Sequence, residues 1–97
     1  MFIYQQIYVQ DNMKKKLLNI PKHIKVRVNG KLYKQVNLTK ANVKIGILVL
    51  DLSDGLYTEI KDVYNDKKCV AIAAGLISTE IGVPFNRLRL LRLERSL

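Results

Sequence analysis

Few residues in this 97-residue chain are equipped for chemistry. The single histidine, His23, sits at the foot of an apparent hairpin with no motif around it, and the single cysteine, Cys69, opens an apolar stretch. One His and one Cys make neither a nucleophile–base pair nor a metal-ligand set. Asp51 and Asp54 bracket a turn, and Asp62 and Asp66 lie close together, but none pairs with a second carboxylate and a base at a mechanism-defining spacing. Turn formation already accounts for them. The glycines at 30, 46, 55, 75 and 82 are isolated, so no glycine-rich phosphate loop exists. These residues predict a non-enzymatic protein, with no cofactor, no metal and no small-molecule substrate.

The charge pattern carries more information. Seventeen Lys and Arg stand against eight Asp and Glu, for a formal charge of +9. Ten of those cations and a single acid, Asp11, fall within residues 1–44, and no acidic side chain occurs between Asp11 and Asp51. Residues 45–80 are net −3, and residues 81–97 return to +3 through Arg87, Arg89, Arg92 and Arg95 against Glu94. A cationic field without local counterions suits a polyanion, or an acidic protein face. Cations around a flat aromatic are a common way to hold unpaired bases, so Lys25, Arg27, Lys31 and Tyr33, joined by Arg87, Arg89 and Arg92, form the expected nucleic-acid-binding set. RNA or single strands are the favoured ligand class.

Positioning those residues falls to a small number of elements. Ile24, Val26 and Val28 alternate with Lys25 and Arg27 up to Asn29-Gly30, which reads as a hairpin spanning Lys22 to Leu38. A two-residue loop would set Arg27 opposite Leu32 and mix the faces. A three-residue loop, Val28-Asn29-Gly30, sets Val26 opposite Leu32 and leaves Lys25, Arg27, Lys31 and Tyr33 together on the outer face, and that register is expected. Val43 to Leu52, apolar at both parities, reads as a central strand, and Leu56 to Tyr64 as its returning partner. Asp66 as N-cap and Gly82-Pro84 as the stop predict a helix over about 67–81. The run from Arg87 to Glu94 reads as a strand with a bulge at Leu90-Leu91, leucines inward and Arg87, Arg89 and Arg92 outward.

Together these elements predict one α+β domain over residues 1–97: a mostly antiparallel sheet of four to five strands covered by one helix. Residues 22–97 would be its core and residues 1–20 an arm or added strand, in which Phe2, Tyr4 and Tyr8 are candidate contacts with other protein chains. The lone cysteine points to a reducing compartment such as the cytoplasm rather than secretion, and no apolar run approaches the roughly 18–20 residues of a membrane span. Two other readings fit the same features. One is a structural subunit of a ribonucleoprotein or virion, and the other an inhibitor or adaptor on an acidic protein surface.

Overall fold

The computed structural model describes residues 16–64, 66–75 and 77–97. Seven strands follow one another: β1 (Val26–Val28), β2 (Lys31–Asn37), β3 (Leu48–Asp51), β4 (Leu56–Tyr64), β5 (Cys69–Ala74), β6 (Ser78–Pro84) and β7 (Leu88–Ser96), with a 3-10 turn at Phe85–Arg87 before the last. All pair antiparallel in one sheet of order β1-β2-β7-β3-β4-β5-β6. The expected sheet of four to five strands with a covering helix is therefore wrong.

Residues 67–81 explain the error. Instead of a helix they supply the end of the β4–β5 turn, all of β5, a second turn and the first half of β6. The small, apolar character of this stretch, with Ala71, Ala73 and Ala74, suits a helix, but Val70 and Ile72, and then Thr79, Ile81 and Val83, recur at a spacing of two and are β-branched, which favours strands. Asp66 and Lys67 adopt positive φ angles of 56° and 61°, so Asp66 lies in a tight turn rather than at an N-cap. Gly75, at φ 80°, turns the chain where the helix would have continued.

A layer that a helix would have provided comes from the sheet bending on itself. β4 pairs with β3 along its first half and with β5 along its second, and a register shift between Ile60 and Asp62 marks the bend. Val49, Ile60, Val70, Ile72, Val83, Leu88 and Leu90 from the inner face form one core with Leu38 and Val43 from the β2–β3 connection. In a flat sheet β3 and β6 would stand about 14 Å apart at ~4.8 Å per strand. Here the single side chain of Arg87 bonds both Asp51 of β3 and Glu80 of β6, so the sheet is strongly curled.

The outer face of the central strands is buried as well. Leu50, Leu52 and Leu91 pack with Ile20, Val26, Tyr33 and Leu48. Residues 18–24 run across this face as a strap: the Leu18 amide donates to the Leu52 carbonyl at 2.6 Å. Gln35, almost fully buried, donates to the carbonyls of Pro21 (3.0 Å) and Ile24 (2.8 Å). Two-sided burial explains why β3 and β7 are apolar at both parities. It also corrects the expected pattern of β7: Leu88 and Leu90 face the inner core while Leu91 faces the outer one, and the extra residue is Glu94, because Leu32 pairs with Arg95 and Tyr33 with Leu93. The strands expected at Leu56 to Tyr64 and at the C-terminal run are both present.

Candidate functional site

The hairpin register decides which basic side chains meet. Val28 pairs with Lys31, Arg27 with Leu32 and Val26 with Tyr33, so the loop is the two-residue Asn29-Gly30 and not the expected three-residue one. Asn29 (φ 49°) and Gly30 (φ 75°) both take positive φ, the geometry that matches the twist of a two-residue hairpin. This places Lys31 and Tyr33 on the outer face with Val26, and Tyr33 packs partly buried beside Leu50 and Leu91 instead of offering a free ring. Lys25 and Arg27 lie on the opposite face.

Because residues paired across antiparallel strands share a face, the wing formed by β1, β2 and the end of β7 can be read directly. Arg27 lies beside Leu32, Leu32 beside Arg95, and Lys34 beside Arg92, all on the side that carries Val36 and Leu90 further along. Lys25, Arg27, Lys34, Arg92 and Arg95 are all exposed. Among the described residues a single acid intrudes on the group: Glu94 accepts from the Lys25 ammonium. That hydrogen bond, with the charges of Lys25, Arg95 and Lys34, holds the Glu94 carboxyl below the usual carboxylate range. Glu94 thus remains ionised and neutralises one of five cations.

The remaining arginines chosen from sequence are elsewhere. Arg89, on the outer face, donates to Gln35 Oε1 (2.8 Å) and to the Ile20 carbonyl, which fastens the strap to β7. Arg87 is only 6% exposed. Its Nε and Nη2 donate to the two Asp51 oxygens at 2.9 and 2.8 Å, and its Nη1 and Nη2 donate to both oxygens of Glu80. These bonds keep the guanidinium firmly protonated. Burial pushes the Asp51 carboxyl up, but the Arg87 bonds and the Ser53 amide outweigh it and leave it below its ordinary value. The structure therefore brings together Lys25, Arg27 and Arg92, adds Lys34 and Arg95, and sets apart Lys31, Tyr33, Arg87 and Arg89. Lys34 was accessible to sequence reasoning through the two-residue loop, which puts it opposite Lys25. Arg95 required the bulge at Glu94.

A cleft between the β3–β4 and β5–β6 turns is lined by Asp51, Asp54, Thr58, Glu59, Glu80 and Arg87. Its polar groups are engaged locally: Asp54 accepts from the Leu56 amide (3.0 Å), Thr58 donates to the Ala73 carbonyl (2.8 Å), and Glu59 pairs with Lys61 at 3.5 Å. Among the described residues no cluster of three His, Cys, Asp or Glu is placed to hold a metal ion. Among them also, no helix is long and apolar enough to cross a membrane. Phe2, Tyr4 and Tyr8 lie outside the described residues. No family profile, curated protein or solved structure matches this chain.

Proposed function

We propose that this chain is a non-enzymatic nucleic-acid-binding module that grips the phosphate backbone with the basic face of its β1–β2–β7 wing. The observation that carries the reading is the grouping of Lys25, Arg27, Lys34, Arg92 and Arg95 on one exposed face with Glu94 as the only acid among the described residues there. Arginine contributes bidentate phosphate contacts and lysine point charges, and neither reads bases from this position. With Tyr33 on the opposite side, no aromatic among the described residues of that face is available to stack on unpaired bases. The stacking argument for single strands falls away, and recognition is directed at the backbone.

Fluorescence titration of labelled RNA and DNA, single-stranded and duplex, over a salt series tests this. Up to five phosphate contacts give a logarithmic salt slope on duplex DNA of about −3 to −4.5, at roughly −0.9 per phosphate. Lys34→Ala/Arg92→Ala should make that slope shallower by about 2, while Lys31→Ala on the other face should leave it nearly unchanged. Absence of binding at low salt, or a slope that the double variant does not alter, refutes the proposal.

A further inference from the structure

β7 departs from regular pairing inside the basic wing. Tyr33 pairs with Leu93 and Leu32 with Arg95, so Glu94 is an extra residue without a partner on β2. Strict alternation after Arg92 would turn Arg95 to the outer face; the bulge keeps it beside Leu32 and leaves Glu94 in contact with Lys25 on the same side. Bulges commonly serve to re-aim a side chain, and this one directs two consecutive charges of opposite sign at one surface. The Lys25 ammonium lies 2.5 Å from Glu94 Oε1. Lys25 leads into β1, Glu94 belongs to β7 and β2 stands between them, so the ion pair reaches across two strand spacings of ~4.8 Å each, over the side of β2 that carries Leu32 and Lys34.

Stability gives little reason for this pair. Its side chains are 42% and 34% exposed, and an ion pair so open to water contributes little to folding. What the arrangement does provide is a seat for an anion: the Glu94 carboxylate lies in the field of Lys25, Arg95 and Lys34, cations that among the described residues pair with no other carboxylate. Lysine and arginine hold carboxylate and phosphate oxygens through the same charge-assisted hydrogen bonds. Resting on the nucleic-acid reading above, we infer that Glu94 fills a phosphate subsite of the basic face: in the free chain its carboxylate holds the position that one backbone phosphate takes among Lys25, Lys34 and Arg95, and a bound strand displaces it. Glu94 is then a built-in competitor of the ligand. It lowers affinity and withholds Lys25 from the phosphates until the carboxylate is exchanged for one of them.

Glu94→Gln removes the competing charge at nearly unchanged shape, and Glu59→Gln makes the same change in net charge on β4, opposite Leu48 on the outer face. In the salt titration Glu94→Gln should bind duplex DNA about two- to fivefold more tightly and steepen the logarithmic salt slope by up to about 0.9, whereas Glu59→Gln should leave both nearly unchanged. A second arm needs no nucleic acid. Inorganic pyrophosphate, followed by NMR, should shift the Lys25, Lys34 and Arg95 side-chain resonances of the unmodified chain, and should do so at about two- to fivefold lower concentration in Glu94→Gln. Absence of these shifts, or a gain from Glu94→Gln no larger than that from Glu59→Gln, overturns the subsite and leaves the functional reading untouched. Pyrophosphate shifts as expected in a chain that binds neither RNA nor DNA support the subsite and overturn the functional reading.

Discussion

Replacing Arg87 with Met is the perturbation that tests most about this fold. Arg87 holds two carboxylates from strands three positions apart, and its side chain and that of Asp51 are each 7% exposed, with Glu80 at 19%. Removing the cation leaves two carboxylates facing one another without the charge that offsets their burial, a loss of about 3–5 kcal/mol for breaking a buried ion pair. A domain of this length has about 5–15 kcal/mol of stability in all, so the effect is a large share of the total. With a urea m-value of about 1.5 kcal/mol per M, the unfolding midpoint should drop by about 2–3 M. The pH dependence separates this cause from simple loss of packing. In the native chain the Asp51 carboxyl titrates below its unfolded value of about 3.9, so its contribution is complete above that pH and is lost as the pH falls through the folded value. In Arg87→Met the orphaned carboxylates favour the protonated form, so acidification relieves the variant while it weakens the parent. The stability gap should therefore narrow between pH 7 and pH 3, measured by urea melts at each pH. A gap under about 1 kcal/mol at pH 7, well short of the expected loss, or one that stays constant with pH, would show that the triad does not join β3 to β6 as described.

Two further outcomes follow from local geometry. Gln35→Ala removes the donor to the Pro21 and Ile24 carbonyls and the acceptor for Arg89, so it should cost about 1–3 kcal/mol in chemical denaturation and speed amide exchange in residues 18–24 before the core is affected. Gly30→Ala places a Cβ on a residue at φ 75° where no neighbouring atom obstructs it, so the cost is backbone strain alone, about 1–2 kcal/mol, read from the thermal midpoint.

The hairpins were visible in the sequence because Asn29-Gly30 and Ser53-Asp54-Gly55 are strong turn signals between β-branched runs. The register of the first hairpin departs from expectation because alternation alone predicts one polar and one apolar face. That expectation fails where a strap covers the second face: Val26 and Tyr33 are partly buried in the outer cluster that Ile20 of the strap joins, which sequence alternation within the hairpin cannot reveal. The helix expectation failed for a related reason. Alanine suits either structure, and the alternation of Val70 with Ile72 and of Thr79, Ile81 and Val83 is interrupted by the turn at Gly75, so no single window displayed the period. The Arg87 triad had only a faint signal. Glu80 is the sole charge between Lys68 and Arg87, and Asp51 interrupts an apolar run, yet nothing in their spacing shows that a curled sheet will bring the three together.

The place of β7 has a consequence for how the chain reaches this structure. The last strand in sequence lies between β2 and β3, pairing with Lys31–Asn37 on one side and with Val49–Asp51 on the other. Those partners are separated from it by some forty to sixty residues, so the two central ladders close long loops, which slows folding. Until they close, β2 and β3 each present an unpaired edge, and the β1–β2 hairpin has no sheet to join. The wing that carries the basic face is therefore complete only once the strand that also closes the core is in place.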